Sequence, residues 1–529
     1  MTERFRFTFK FKEEKIMMRS LYSGVAGLKT HQTKMDVIGN NIANTNTVGF
    51  KSSSVNFSDT FYQTVSSASG ANAELGTAGT NAKQIGLGSQ VASITTNITD
   101  QGGPSTTNRA LDIAINGSAF LVVRSGTDTY FTKSGALNVD EAGNLYCTTN
   151  GATVQGWLAD ADGNIVKDTV KDLAIMNAEN SSYAPEATTA VTVSGNIDPN
   201  DTKLEGTTNA TTGITTGGQI VSFSFFDNLG ESYTAKLYIT KSANQTAGTT
   251  TYDIRVADIL NSDSQSIFVK KNVDPTTGAV TYSETGATIK FGSDTAAGIA
   301  AGSLNATTGE FSLDPGLAST ITFSSQTGDF VSTPTRTNAE FSGKAINLSI
   351  VGLDATNTGV NSSFPQYDAA SDTGGVNIFL NKLTQYSQGG TSKISSVKGD
   401  PDGYDAGNKA GALSGISIDQ EGKIYGQYSN GLKKCLAQMA FATFANPSGL
   451  ESVGDSLFAA TLNSGEFDGV GEEVNQSGSL TVGALEMSNV DLANEFTQMI
   501  TTQRGFQANS RIITTSDTML EELVNNLKV

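Results

Sequence analysis

Apolar residues recur every seven positions in two segments of this 529-residue chain, and the segments lie at its opposite ends. Near the start they are Leu21, Leu28, Met35 and Ile42; at the end they are Leu492, Met499, Phe506, Ile513, Leu520 and Leu527. A strict sevenfold repeat holds one narrow stripe of a helix against a partner helix, as in a coiled coil. Val25 and Ile38 widen the first stripe, and Phe496 widens the second. Any fold must therefore bring these helical ends against each other or against copies of themselves.

The boundaries of the two helices carry their own signals. The first runs from about Leu21 to Ala43 and ends in Asn44-Thr45-Asn46-Thr47-Val48-Gly49, residues that tolerate the left-handed backbone of a helix terminus. The final helix is expected to open at Ser488, with Asp491 completing a capping box, and to run on to the C-terminus. Ahead of the first helix, Phe5, Phe7, Phe9 and Phe11 alternate with Arg6, Thr8 and Lys10, a strand-like period. Residues 1–17 read as an extension upstream of a start at Met17 or Met18. They lack the continuous apolar core and small-residue cleavage site of a secretory signal.

Between the helices the text is β-like. Residues 51–89, rich in Ser, Ala, Gly and Thr, read as an extended linker. Asn116-Gly117 sits between two apolar runs and predicts a hairpin. Turns are also expected at Asp140–Asn144, Asp160–Asn164 and Asp419–Gly422, and at Asn228-Leu229-Gly230 between strands Ile220–Phe226 and Tyr233–Ile239. The expected fold is α+β and multi-domain. Residues 18–50 and 488–529 form a helical, coiled-coil-like domain; 90–165 and 402–487 form a β-rich middle domain; 166–401 form one or two inserted β-domains.

Composition excludes several functions. A net charge of −18 argues against nucleic acid, whose phosphates require clustered Lys and Arg. Two cysteines, Cys147 and Cys435, cannot make a disulfide framework. No apolar run is long enough for a membrane span. The single histidine, His31, rules out a histidine triad or multi-histidine metal site within one chain and reads as a polar position on the first helix. Asp160–Asn164 opens like a calcium loop, but its glycine comes early and no glutamate closes the frame. No phosphate-binding or dinucleotide motif occurs. Neither catalytic residues nor a cofactor nor a metal is expected.

The seam positions that alternate with the last stripe, Gln503, Ser510 and Asp517, are polar and weaken any two-stranded pairing. Packing among several subunits is thus the expected use of the stripes. The surrounding residues carry a resemblance. Ser23–Leu28, then Met35 through Asn40, Asn41, Ile42, Ala43 and Asn44, then Val48, Gly49, Phe50 and Lys51, resemble the N-terminal signature of the flagellar axial proteins of the rod, hook and hook-associated class, the hook members most closely. Gln503, Arg504, Gly505, Phe506, Gln507, Ala508, Asn509, Ser510 and Arg511 resemble the C-terminal signature of the same family.

The resemblance implies an inner helical layer, a middle layer and an outer inserted layer. It implies a helical homopolymer that transmits torque in a curved tube outside the cell, exported without a cleavable signal by the flagellar apparatus. It further implies distal rod protein, a cap and a hook–filament junction protein as partners. Some members are crosslinked between subunits through Cys and Lys, for which Cys147 or Cys435 would serve. A distal rod protein is the second reading within the family, and a β-rich surface adhesin the second reading outside it.

Overall fold

The structure, a computed structural model, describes residues 2–70, 76, 78–160, 163–208, 215–273, 275–276, 279–285, 287–292, 299–300, 303–304, 311–312, 318–336, 338–351, 364, 374–476 and 478–525. It is mostly β, with one long helix near each end. The chain divides into two compact units. The first comprises 1–181, 414–427 and 433–529; the second comprises 182–413 and 428–432.

In the first unit, helix α1 (Thr2–Ala43) covers 42 residues. It includes the N-terminal segment whose apolar alternation is strand-like. A lone strand needs a partner for its backbone groups, whereas a helix satisfies its own, so the segment continues the helix that follows. The helix stops where Asn44 turns its carboxamide back onto the Asn40 carbonyl at 3.0 Å. Gly49 follows at φ 68, where a Cβ would lie 3.0 Å from the Lys133 carbonyl carbon. Helix α2 (Leu492–Asn525) is capped by Asp491 rather than Ser488: Asp491 Oδ1 accepts from the Ala493 and Asn494 N–H groups at 2.9 and 3.3 Å.

The expected linker is largely paired. Strands β1 (Ser53–Asp59), β2 (Tyr62–Ser66), β3 (Lys83–Gly86) and β4 (Ser89–Thr96) form two ladders, β1 with β4 and β2 with β3. A two-stranded ribbon is marginal alone. Here β1 and β4 lie along α1, with Phe57 edge-on to His31 at 5.7 Å and Ser89 Oγ 3.2 Å from Thr30 Oγ1. Composition concealed these strands because their support comes from a helix rather than from their own apolar content.

Next come β5 (Pro104–Thr106), β6 (Ile113–Gly117), β7 (Phe120–Ser125) and β8 (Asp128–Thr132). Asn116-Gly117 does not close a hairpin. Strand β6 pairs with Gly478–Val482, while β7 pairs with β8 and with Thr153–Leu158. Gly117, at φ 106, lets the chain leave one sheet for another. The large sheet runs Lys423–Tyr428, Lys433–Met439, Thr153–Leu158, β7, β8, Leu457–Ala459, Glu451–Gly454. Ile113, Leu121, Val154, Met439 and Phe441 fill one side of the core, and Phe120, Phe131 and Trp157 the other. Asp140, Asp160 and Asp419 each take the backbone N–H four residues on, so the expected turns form.

The second unit packs two sheets on one core. Gln219–Phe226, Ser232–Lys241, Thr249–Leu260, Ala318–Ser324 and Phe330–Ser332 form an antiparallel meander, its first turn at Asn228–Gly230 as expected. The other sheet runs Ile299–Ala300, Thr288–Gly292, Ala345–Val351, Val376–Thr384, Ala190–Asn196, Lys393–Lys398, and its Ala190–Asn196 strand is parallel to Val376–Thr384. Phe225, Tyr252, Phe323, Ile289, Leu348 and Ile378 are buried between them.

Candidate assembly surface

Helices α1 and α2 pack antiparallel within one subunit, and the residues at their seam are mostly small or polar, with Ile513 set against Gly24. A Cβ at Gly24 would lie 3.1 Å from Ile513, one at Gly27 2.6 Å from Asn509 Nδ2, and one at Gly505 2.7 Å from His31 Cε1. Ser20 and Ser516 share a hydrogen bond of 3.2 Å. Glu495, Thr502 and Ser516 are buried on α2, as are Thr30 and Asn41 on α1. His31 is half-buried: it sits against Gly505 and Phe57, its Nδ1 is buried, and burial pushes its pKa down. Glycine inside α2 costs about 1 kcal/mol of helix propensity, but here it admits the imidazole ring.

The sevenfold stripes therefore mostly flank the seam, with Ile513 reaching into it at Gly24. Leu21, Leu28, Met35 and Ile42 are half-buried, as are Met499, Ile513 and Leu520, while Ile38 is buried. Val25, Leu492, Phe496 and Phe506 are exposed, Phe496 by half its surface. Leu527 lies outside the described residues. Ile500, Ile512, Met519 and Val524 are also exposed and were not singled out from the sequence. Ile512 and Met519 are themselves seven apart, a second stripe that the first obscured.

The motif residues divide into holders and open positions. Asn41 is buried and bonds Ser53 both ways, donating to its carbonyl at 2.9 Å and accepting its N–H at 3.0 Å. Asn44 accepts from Thr47 Oγ1, the Gly49 N–H donates to the Glu486 carbonyl, and Phe50 is half-buried. Asn509 is half-buried on Gly27. Asn40, Ala43, Gln503, Arg504 and Gln507 are exposed, with Arg504 Nη1 donating to Gln507 Oε1 at 3.1 Å. Ile42 is half-buried.

Where the helices join the β-structure lies a buried charge cluster. Lys51 Nζ is 2.8 Å from Glu486 Oε1 and donates to the Asp100 carbonyl at 2.7 Å. Glu486 Oε1 also accepts from the Gly102 N–H at 3.0 Å. Lys133 donates to the Gly117 carbonyl and lies over the Phe120 ring; burial pushes its pKa down to about 8, with Glu486 opposing and Lys51 adding to the shift. Asn489 takes the Ser52 N–H and donates to the carbonyls of Asn97 and Asp100. The sequence gives no local signal for these partners, because Lys51 and Glu486 stand 435 residues apart.

Cys147 is fully buried beside Ser134 and Thr149; Cys435 is half-buried, its thiol pKa raised by burial. Among the described residues no group of three or more His, Cys, Asp or Glu side chains is placed to hold a metal ion. Among the described residues no helix is long and apolar enough to cross a membrane.

Three family descriptions match the chain: flagella basal body rod protein over residues 21–51, flagellar hook protein FlgE/F/G D1 domain over 114–197, and flagellar basal body rod FlgEFG protein C-terminal over 481–527. Flagellar hook protein FlgE of Borreliella burgdorferi is 35% identical across 96% of this chain and 99% of its own length. That of Treponema pallidum is 34% identical over the same shares. Flagellar basal-body rod protein FlgG of Bacillus subtilis is 50% identical, but over only 24% of this chain and 48% of its own length. With its terminal signatures on the helix pair and its likeness to hook proteins extending almost end to end, this chain belongs to the flagellar hook protein FlgE family.

Proposed function

We propose that this chain is the structural subunit of the flagellar hook, polymerising into a curved flexible tube that passes motor torque to the filament. The observation that carries this is the composition of the helix pair. Its own seam relies mainly on glycine, serine, threonine and asparagine, with Ile513 and His31 set against glycines, while Leu492, Phe496, Ile500, Phe506, Ile512 and Met519 stay open. Fully burying such a side chain is worth about 1.5–3 kcal/mol. These are roughly half-way there in one subunit, leaving about 1 kcal/mol each for neighbouring copies to supply. Spread over a lattice, that is enough to order the helices without locking any single contact.

In this reading residues 18–50 and 488–529 form a coiled-coil-like inner layer around the channel. Residues 51–89 connect it to a middle layer of 90–165 and 402–487, and 166–401 form the outer face. Leu21, Val25, Leu28, Met35, Ile42, Leu492, Phe496, Met499, Phe506, Ile513, Leu520 and Leu527 act at assembly. The subunit is exported through the flagellar apparatus and works outside the cell. Distal rod protein, hook cap and hook–filament junction protein are its partners, and its role is structural rather than enzymatic. Similarity to a rod protein over 24% of the chain, against 96% for hook proteins, favours the hook over the rod.

Electron microscopy of the assembled chain tests this. Wild type should form curved tubes, and Phe506→Asp should stay monomeric with its fold intact, because Phe506 is 37% exposed and outside the seam. Straight tubes would speak for the rod. Normal tubes from Phe506→Asp would remove the helices from the assembly contact.

A further inference from the structure

Near each signature stands an exposed charge that makes no ion pair among the described residues. At the end of α1, Asn40, Asn44 and Thr47 line one wall of a cleft of about 420 Å³; Ser452, Asp455 and Ser456 line the other. The second wall is the turn between Glu451–Gly454 and Leu457–Ala459, whose central residues, Asp455 and Ser456, stand at φ 51 and 59. Two successive positive φ values mark a tight turn that normally carries Asn-Gly, so non-glycine residues there are strained by roughly 1–3 kcal/mol each. The turn is nevertheless well held. Ser456 accepts from Thr132 Oγ1 at 2.9 Å and lies 3.5 Å from the Val48 carbonyl, and the Asp455 carbonyl accepts from Asn150. The exposed Asp455 carboxylate makes no ion pair among the described residues.

On α2, Arg504 is exposed and likewise makes no ion pair among the described residues. Gln507 takes its Nη1 N–H at 3.1 Å and holds the guanidinium along the outer face. Arg504 adjoins Gly505, which lies opposite His31. From that level the helix rises about 13 Å to Asn40 and about 20 Å to Asn44, at roughly 1.5 Å per residue. No arginine side chain spans that distance, so Arg504 cannot reach the cleft of its own subunit.

We propose that Arg504 of one copy docks in the cleft of a second copy, its guanidinium on the Asp455 carboxylate, while Asn40 and Asn44, bonded to each other and to Thr47, hold the opposite wall in place. A planar cation with several fixed donors suits a carboxylate at the wall of a polar cleft, and a rigid turn presents that carboxylate without an ordering cost. The contact would join the two sequence signatures across a subunit boundary, and it rests on the hook reading above. Being exposed to solvent at its rim, it would be a salt-sensitive contact that sets register more than overall strength.

A double-mutant cycle tests it, with tube yield read by sedimentation and electron microscopy. Trp157 fluorescence checks the fold of each monomer. Arg504→Gln and Asp455→Asn, which keep size and turn geometry, should each reduce assembly about tenfold at low salt, and the double variant should be no worse than either. The charge-exchanged Arg504→Glu/Asp455→Arg variant should assemble better than Arg504→Glu alone. Normal assembly of either single variant overturns the pairing, as does an additive loss near a hundredfold in the double. A wild-type chain that never forms tubes overturns the hook reading; tubes with an additive cycle overturn only this contact.

Discussion

Replacing Glu486 by leucine should be among the most damaging changes available in the first unit. Lys51 and Glu486 are each 3% exposed, and the carboxylate serves Lys51 at 2.8 Å and the Gly102 N–H at 3.0 Å. It also opposes the burial that disfavours charge on Lys133. Removing one partner of a buried pair costs about 3–5 kcal/mol. Glu486→Leu leaves two buried ammonium groups facing each other and an unpaired N–H, so its cost should fall near 5 kcal/mol. Lys51→Met leaves the carboxylate with Gly102 and the charge of Lys133 and should cost nearer 3 kcal/mol. The double variant should lose about 2 kcal/mol or more less than the sum of the two. The measurement is urea unfolding of the monomer followed by Trp157 fluorescence. Trp157 is the only tryptophan of the chain and is buried in the first unit, so its signal reports that unit. A Glu486→Leu cost below about 1 kcal/mol, or no larger than that of Lys51→Met, would refute the reasoning.

Two further outcomes follow from the same geometry. The folded-state pKa of Lys133, about 8, lies below its unfolded value of 10.5, so folding penalises the protonated form. That penalty, about 3 kcal/mol, is complete below pH 8 and fades as pH rises to 10.5, so stability relative to Lys133→Met should rise across this window in pH-dependent urea melts; a flat difference would contradict it. Gly27→Val should cost about 1–3 kcal/mol and separate the helices, since its Cβ would lie 2.6 Å from Asn509 Nδ2. Adding Asn509→Ala should recover part of the loss in thermal melts read by circular dichroism, and a wild-type melt from Gly27→Val alone would show that the seam is not closed there.

Patterns that depend on neighbours in sequence could be read directly. The end helices follow from apolar spacing, and the turns at Asp140, Asp160 and Asp419 follow from an aspartate placed to take a backbone N–H four residues on. Pairings that depend on distant segments could not. Strand β6 takes Gly478–Val482 rather than the apolar run next to it, because an Asn-Gly step permits a hairpin but cannot compel one against a better-matched distant strand. The helix cap at Asp491 rather than Ser488 is the smaller counterpart, since either residue could serve and only the path from Asn489 into the helix chooses between them.

The sevenfold stripes mark the division most sharply. By itself the sequence determined that two long helices stand at the ends, that each has an apolar stripe, and that polar alternate positions weaken a simple two-stranded seam. Periodicity states how a helix is patterned but not which of two adjacent stripes meets a given partner. Only the tertiary structure decided that Gly24, Gly27, His31, Gly505 and Asn509 meet within the subunit while Phe496 and Phe506 remain open. The physical reason is steric. Helices close against each other where side chains are smallest, a glycine making room for Ile513 or His31, and most large apolar residues beside that seam lie on its flanks, where another copy can cover them.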